Sequence, residues 1–294
     1  MDIRLNDSHL PELFARADAL SLSGQWAYLR GTRLRLTLAV CSAILAVSTF
    51  NVGAVDIASF AVAVAFLVTL LIELWLLASK PERNWYDGRA LAESIKTLTW
   101  KYAVGAQPYT LSRTPEEGEL RFIRDMESLI REMPSDSIVL TSPVRIPERI
   151  QEVRDSPLHA RRSVYLRDRI ENQIAWYSGK ARTHVRSASR WRITLVIVEG
   201  LGIVAALLKA SGIISVDLPG ILAAVLGAGS AWLAARQHES LGRAYTFAAN
   251  DLSIVHARLR SAENETAWAQ EVADAEEAIS REHTMWRASR GSMY

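Results

Sequence analysis

The sequence has few of the features on which covalent cross-linking, metal binding or catalysis depend. Its 294 residues include one cysteine, Cys41, which excludes a disulfide framework and a cysteine-based zinc site within one chain. The six histidines are scattered singly, without the spacing of metal-ligand pairs, and are interpreted as surface or packing residues. No glycine-rich phosphate-binding loop follows a predicted strand. We therefore expect neither an enzyme nor a bound cofactor.

An excess of one charge and a leader sequence are also missing. With 34 basic and 32 acidic residues the net charge is +2, and no basic tract is typical of nucleic-acid binding, so direct nucleic-acid binding is not expected. The polar start of the chain, with Asp7 and Glu12, predicts no signal peptide. The 49% of hydrophobic residues are gathered into four runs, and the charges fill the segments between them.

One short stretch occurs twice, each time at the beginning of a long apolar run. Arg33-Leu-Arg-Leu-Thr-Leu has a near copy in Arg190-Trp-Arg-Ile-Thr-Leu, and at the same offset Trp75 corresponds to Trp232. Each of these two tryptophans lies towards the end of the second apolar run of its half. The chain is therefore interpreted as one membrane hairpin that is present twice.

The four apolar runs supply the predicted membrane spans. The first is uncharged over residues 36–55, which is long enough for a helix to cross about 30 Å of hydrocarbon. Two such runs in tandem, joined by a short polar turn and flanked by Arg and Trp, favour a membrane hairpin over soluble core helices. We predict an all-α membrane protein with two tandem transmembrane helical hairpins and long cytoplasmic helical extensions. The four spans are placed at about 34–55, 57–79, 193–208 and 218–235.

Helical periodicity predicts the structure of the segments between the spans. Apolar residues recur at helical spacing from Leu91 to Tyr102, and a helix is predicted at about 115–132. A near-heptad pattern predicts an uninterrupted helix from about residue 159 to the end of the third span, and another predicts one helix over residues 241–273. Residues 137–141 fit either a short strand or an extended linker.

These patterns divide the sequence into two repeated units and a linker. Residues 1–106 form the first hairpin unit, and residues 158–294 form the second unit with its C-terminal cytoplasmic helix. Between them, residues 107–157 contain most of the nine prolines and are predicted to be a cytoplasmic linker with a short helix.

Basic residues indicate which ends of the spans face the cytoplasm. They gather at one side of the four spans, whereas the two hairpin turns carry only Asp56, Lys209 and Asp217. By the positive-inside rule, both termini and the central segment are predicted to be cytoplasmic. The basic residues are Arg30, Arg33, Arg35, Lys80, Arg83, Arg186, Arg190, Arg192 and Arg236.

Glu73 and Glu199 are the most informative residues of the predicted spans. Each lies about 10 Å inside the cytoplasmic boundary at 1.5 Å per residue. A carboxylate at that depth is costly and normally faces a bundle interior or a watery cavity. Two interpretations stay open: the two residues line or gate a cation-attracting pore, or each is protonated or paired locally, for example with Arg35 or Arg192.

Other residues are predicted to pack helices or to anchor them at the membrane surface. Ala223, Gly227 and Ala231 recur every fourth position and predict a face where helix backbones approach closely. Trp176, Tyr177 and Lys180 are candidates for packing or for contact with a signal or partner. The arginine pairs are expected to hold lipid phosphates, with a phosphate or nucleotide sensor as the alternative. The predicted interface anchors are Arg33, Arg35, Trp75, Trp85, Arg190, Trp191, Arg192 and Trp232.

Aromatic and basic motifs carry a resemblance to a known family. They are Trp85-Tyr-Asp-Gly-Arg with Trp100-Lys-Tyr, and Arg169-Ile-Glu-Asn-Gln with Trp176-Tyr and Lys180-Ala. With these motifs nearly the whole chain resembles two tandem units of the SLATT superfamily, the SMODS and SLOG-associating two-transmembrane effector domains. The resemblance implies a two-helix membrane hairpin with a cytoplasmic helical extension in each unit.

The resemblance also implies a function. It indicates an effector of a prokaryotic antiphage or conflict system, located in the inner membrane, that forms a homo-oligomer and permeabilises the lipid bilayer on a cytoplasmic signal. That signal would come from a nucleotide second messenger or from a sensor protein encoded nearby. The alternatives are a non-conducting scaffold for a cytoplasmic partner, a small ion channel outside defence, and a small-solute transporter. Parallel rather than inverted hairpins disfavour the transporter.

Overall fold

The computed structural model describes residues 3–52, 55–111, 114–132 and 145–291, with side chains up to residue 280. Nearly all of this part of the chain is helical, as the apolar and heptad patterns predicted. The α-helices are α1 (Glu12–Ala46), α2 (Ile57–Ser79), α3 (Pro81–Val104), α4 (Pro115–Arg131), α5 (Glu148–Arg154), α6 (Leu158–Val164), α7 (Asn172–Ala210), α8 (Leu218–Arg236), α9 (His238–Ser261) and α10 (Glu265–Gly291).

Four short elements complete the described structure. A 3₁₀ turn at Asp7–His9 precedes α1, and a π-helix at Tyr165–Glu171 joins α6 to α7. Between α1 and α2, strand β1 (Asn51–Val52) pairs antiparallel with β2 (Val55–Asp56). The predicted strand or linker at residues 137–141 lies outside the described residues.

The helices form two compact units that alternate along the sequence. The extension unit comprises Met1–Gly24, Glu82–Ala181 and Ala244–Tyr294, and the hairpin unit comprises Gln25–Pro81 and Arg182–Arg243. The two predicted hairpins therefore share one unit, and the predicted extensions share the other. The division into 1–106, 107–157 and 158–294 describes the repeat in the sequence and stays a prediction.

Three helical stretches are long and apolar enough to cross a membrane: Ile57–Val104, Leu158–Ala210 and Leu218–Ser261. They contain the second, third and fourth predicted spans. Their most apolar windows are almost entirely unburied within the chain, which is the arrangement expected of surface that faces lipid rather than water. The protein is thus an all-α membrane protein, and its first predicted span, which none of these stretches contains, stays a prediction.

The first predicted span, 34–55, is wrong beyond Ala46, where α1 ends. The polar residues that follow favour a turn, and Asp56 organises it. The Asp56 carboxylate accepts a hydrogen bond from Ala58 N at 3.0 Å as the N-cap of α2, and one from Ser59 Oγ at 2.7 Å. The apolar stretch of α1 is consequently shorter than the sequence pattern predicted.

Two predicted continuous helices are also interrupted. The helix predicted from about residue 159 into the third span contains the π-helix, so its hydrogen bonding changes register before α7 begins. The helix predicted over residues 241–273 is divided into α9 and α10. Asn264 produces this break because its side chain accepts from Ala267 N at 2.9 Å and caps α10.

The core of the extension unit includes the segment that was predicted to be a linker. Leu91, Ile95 and Tyr102 of α3 are buried, as their spacing predicted. Phe122 of α4 and Ile150 of α5 are fully buried in the same cluster. Helix α4 matches the predicted helix at 115–132, and its amphipathic face explains why this proline-rich region packs rather than extends.

Trp268 of α10 provides a test of this core. Its ring is fully buried, lies 5.7 Å edge-on from Tyr165, and its Nε1–H donates to Val104 O at 3.0 Å. We expect Trp268→Ala to lower the free energy of unfolding by about 3–5 kcal/mol. The measurement is denaturation of the full chain in detergent micelles. Phe247→Ala, at a site 70% exposed on α9, is the matched control, and equal losses in both variants would contradict the described core.

Candidate functional site

A buried ion pair lies at the centre of the extension unit. Arg169, in the π-helix, donates from Nε to Glu276 Oε1 at 2.9 Å and from Nη2 to Glu276 Oε2 at 2.7 Å. The two side chains are 1% and 0% exposed. This bidentate geometry is the strongest that an arginine and a carboxylate form. It is needed here because two buried charges lose their hydration.

Two further groups complete the coordination of the Glu276 carboxylate. Tyr165 donates its hydroxyl to Oε1 at 2.9 Å, and Thr97 of α3 donates to Oε2 at 2.9 Å. Burial and the adjacent carboxylate raise the pKa of Tyr165 well above its usual value. Burial alone would lower the pKa of Arg169, but the attraction of Glu276 outweighs it, and the pKa is raised. Both residues therefore keep their protons at any physiological pH.

Tyr165 and Arg169 lie four residues apart in the π-helix and donate to the same carboxylate. The i→i+5 hydrogen bonds of this segment widen its turns relative to an α-helix. Asp168 of the same π-helix reaches the N-terminal segment, where its Oδ2 accepts from Leu5 N at 2.9 Å. Arg167 donates to Ile3 O at 2.6 Å. Such segments are rare and concentrate at functional sites.

Trp176, Tyr177 and Lys180, the predicted contact residues, lie one to three turns after the π-helix. Tyr177 is 1% exposed and packs with Trp176 and Tyr245, whose ring centroids lie 5.2 and 5.7 Å from its own. Lys180 places its ammonium 5.5 Å from the Trp176 ring centroid, and the Arg89 guanidinium lies 5.8 Å from it. Tyr177 is therefore a packing residue, whereas Trp176 and Lys180 retain accessible surface.

In the hairpin unit, Glu73 forms a direct ion pair with Arg35 of α1. This is one of the two interpretations left open by the sequence, the local pair. The pair neutralises the carboxylate without a second chain or a water-filled channel. It also ties α2 to α1 through residues that both lie within predicted spans.

Glu199 is placed differently. Its side chain is exposed on α7, and it makes no ion pair or hydrogen bond with any described residue. Arg192, the partner considered from the sequence, is instead 2.9 Å from Glu239 at the start of α9. The structure therefore separates the two span carboxylates: one is paired within the chain, and the other faces outward.

The predicted small-residue face of α8 is likewise directed outward. Ala223, Gly227 and Ala231 are exposed, and a Cβ built on Gly227 would meet nothing within 4 Å. Close approach within the chain occurs instead at Gly229, where an added Cβ would come within 2.7 Å of Leu195 Cδ2 of α7. The close-approach residue within the chain is therefore not one of the three that the sequence pattern named, and their role as a packing face stays a prediction.

The predicted interface anchors lie on partly or fully exposed positions of the helices. Among the tryptophans, Trp75 is 48% exposed, and Trp85 stacks on Tyr86 at 4.9 Å between ring centroids. Arg236 lies over the Trp232 ring at 5.8 Å. The other predicted anchors with accessible surface are Arg33, Arg35, Arg190, Trp191 and Arg192. Their roles as anchors stay predictions.

One pair of histidines, which the sequence presented as isolated residues, is brought together. His184 of α7 and His238 at the start of α9 lie 3.1 Å apart between their Nδ1 atoms. Gln237, between α8 and α9, adopts the left-handed conformation at φ 47° and allows this approach. Burial, and then the charge of Arg236, lowers the pKa of His238 from its ordinary 6.5. The pair is formed by a tertiary contact between residues far apart in the chain, so the spacing of the histidines in the sequence could not predict it.

Sequence reasoning also missed the buried charges of the extension unit. Glu276 does leave a signal, because it interrupts the buried series Val272, Ala275 and Ile279 on one side of α10. Arg161, 1% exposed, donates to Val104 O at 2.6 Å and pairs with Glu265, and nothing in its local pattern distinguishes it from a surface arginine. Among the described residues, no cluster of potential metal ligands is present.

Comparison with known proteins identifies the family of this α-helical membrane protein. The profile of SMODS and SLOG-associating 2TM effector domain 3 matches residues 11–162, and that of effector domain 1 matches residues 165–286. Neither a curated protein nor a solved structure is significantly similar to the chain. The chain belongs to this family of membrane effector domains and contains two of them in tandem, which confirms the resemblance.

The Arg169–Glu276 pair predicts an asymmetric response to mutation. Glu276→Gln leaves the Arg169 charge buried without a counter-ion and is expected to lower the free energy of unfolding by about 3–5 kcal/mol. The double variant Arg169→Met/Glu276→Leu buries no charge and is expected to lose less. Denaturation in detergent measures both. Glu127→Gln, in an exposed pair with Arg131, should cost at most about 1 kcal/mol. A loss in the double variant as large as that in Glu276→Gln, or larger, would contradict a coupled pair.

The histidine pair predicts a pH-dependent stability. Because the pKa of His238 is lower in the folded protein than in the unfolded chain, the unfolded chain binds the proton more readily. Stability is therefore full above about pH 6.5 and is lost as the pH falls through the lower folded pKa. We expect the melting temperature in detergent to decrease between pH 7.5 and 5.5, less so in His238→Gln. Identical decreases in both proteins would show that another group is responsible.

Proposed function

We propose that the protein is a membrane effector that oligomerises and opens a pore in the bacterial inner membrane when a signal reaches its cytoplasmic extension unit. In this proposal both termini are cytoplasmic, no reaction is catalysed, and the context is defence against phage or a related conflict. Membership of a family of two-transmembrane effector domains supports the effector role. The position of Glu199 supports the pore.

Glu199 supports a pore because an ionised carboxylate is unstable against lipid. Its surface on α7 has three possible surroundings in a membrane: lipid, another copy of the chain, or a water-filled channel. The first costs about 2.5–3.5 kcal/mol for a charged side chain at the helix centre by insertion scales. A channel between copies hydrates the carboxylate and attracts cations. The outward small residues Ala223, Gly227 and Ala231 offer a face for close packing of those copies.

The signal would act through the helix that contains the π-helix and α7. This stretch begins in the extension unit and ends in the hairpin unit at Ala210. A ligand or partner opens the pore only if it binds one arrangement of this helix more tightly than another. A π-helix supports two such arrangements, because conversion of its turns to α-helix shifts the register of everything that follows.

The second candidate function is a non-conducting scaffold that holds a cytoplasmic partner at the membrane. The exposed apolar side chains of α9, Phe247 at 70% and Ile254 at 64%, favour it, since they lie two turns apart in the extension unit. A scaffold requires these apolar residues for partner binding but does not require a charge at Glu199. The two functions are therefore separated by the effect of neutralising that carboxylate.

The experiment measures membrane potential with a potential-sensitive dye in bacteria that produce equal amounts of the wild type or of one single variant. We expect the wild type to depolarise the cells and Glu199→Gln to depolarise them about tenfold more slowly, because the carboxylate concentrates cations. Glu263→Gln, an exposed carboxylate between α9 and α10, is the matched control and should behave as wild type.

Each other result has a definite meaning. Equal depolarisation by wild type and Glu199→Gln removes Glu199 from the pore. Glu73→Gln is expected to reduce the amount of folded protein rather than ion flux per molecule, because it breaks the pair with Arg35. No depolarisation by the wild type, even together with the product of a neighbouring gene, contradicts the pore and favours the scaffold.

A further inference from the structure

A cavity of about 540 Å³ lies within the extension unit beside the π-helix. Its volume is in the range of pockets that enclose small organic ligands. One wall is the N-terminal segment, another is α3, and the third is the π-helix with the first turn of α7. Its lining includes Lys96 and Trp100 of α3, Asp168 and Arg169 of the π-helix, and Gln173 of α7.

Two side chains of this lining have polar atoms without a hydrogen-bond partner among the described residues. Gln173 is 8% exposed as a residue, and its amide makes no hydrogen bond to any described residue. Arg169 uses Nε and Nη2 for Glu276, but its buried Nη1 has no acceptor. Buried donors are almost always satisfied, so Arg169 Nη1 beside a cavity indicates a missing acceptor. The guanidinium requires an acceptor, and the amide accepts and donates.

Unused hydrogen-bond donors on Lys96 and Arg169 favour an anionic ligand. Arg4, Lys96 and Arg169 line the cavity together with Asp7 and Asp168, and Glu276 already balances the charge of Arg169. Lys96 Nζ is 2.6 Å from Asp7 Oδ1, but the Asp7 side chain is 59% exposed and solvent replaces the lysine readily. An ammonium has three donors, so Lys96 also binds an anion without leaving Asp7.

Trp100 contributes to one wall of the cavity. It is 2% exposed, and its orientation is fixed by edge-on packing against Tyr165 at 5.7 Å between ring centroids. The Gln173 amide presents an acceptor and a donor side by side, so it suits a planar group that carries the complementary pair along one edge.

We propose that this cavity binds a small organic anion with a planar hydrogen-bonding group. Gln173 contacts the planar group, and Lys96 and Arg169 contact the anionic group. The inference deepens the proposed function, because a ligand that touches Arg169 acts on the π-helix and would be the cytoplasmic signal. Its binding is measured without any reference to ion flux. Absence of ligand binding would therefore contradict this site but not the proposed pore. Absence of depolarisation would contradict the pore but not the ligand site.

The test is a calorimetric titration of the purified full chain in detergent. The probes are the four ribonucleoside 5′-monophosphates, their nucleosides and inorganic phosphate. We expect at least one monophosphate to bind more tightly than its nucleoside or phosphate alone. Gln173→Glu should weaken that binding by about tenfold or more, through a lost hydrogen bond and repulsion of the anion. Gln270→Glu is the matched control, because Gln270 lies exposed on α10 outside the lining.

A second variant tests the anionic group without altering the buried amide. Lys96→Met should weaken the monophosphate but leave the nucleoside unchanged, since only the former has a charge for the ammonium. No binding by any probe overturns the proposal, as does binding that Gln173→Glu and Lys96→Met leave unchanged. If inorganic phosphate binds as tightly as every monophosphate, the proposed contact with a planar group is wrong.

Discussion

The structure of the extension unit depends on the pairing of Arg169 with Glu276. Two charges at 1% and 0% exposure are stable only if their hydrogen bonds are satisfied, and four donor groups meet the two carboxylate oxygens of Glu276. These donors come from α3 and the π-helix, and the acceptor comes from α10. A slip of any of the three elements by one residue would leave a buried charge unpaired, so the pair fixes their register.

The same pair involves the π-helix that interrupts the predicted continuous helix. Tyr165 and Arg169 both donate to the Glu276 carboxylate, and these contacts hold the π-helical segment against α10. The π-helix then continues into α7 and its apolar run. An event that weakens the contact with Glu276 would therefore favour an α-helical register and alter α7. In the proposed function this conversion is the link between signal and membrane.

The sequence predicted the helices and the membrane character well, because both depend on local periodicity and on run length. Helices α2 and α8 begin within one residue of the predicted spans, and the helical face that includes Ile95 is buried as predicted. The end of α1 was missed because the uncharged residues after Ala46 satisfy a hydropathy pattern without forming a helix. The break at Asn264 was missed because an apolar seam continues in register across a helix cap.

The candidate sites were less accessible to sequence reasoning because they depend on long-range contacts. Glu73 and Glu199 are equivalent in sequence as single carboxylates in apolar runs, yet one faces Arg35 within the chain and the other faces outward. The Arg169–Glu276 pair and the His184–His238 pair join residues far apart in the chain. Their partners are chosen by the tertiary packing of several helices, and a single sequence does not encode that packing in any local spacing.

The most direct measurement is whether position 199 meets water inside the membrane. With Cys41 replaced by Ser, Glu199→Cys can be treated in cells with a membrane-impermeant cationic thiol reagent. Ile197→Cys, at similar depth on the far side of α7 and 57% exposed in the native chain, is the control. A water-filled pore predicts rapid modification at position 199, a fall in ion flux on modification, and no reaction at position 197. Equal lack of reaction at both positions, in cells that the protein depolarises, would contradict a pore lined by Glu199.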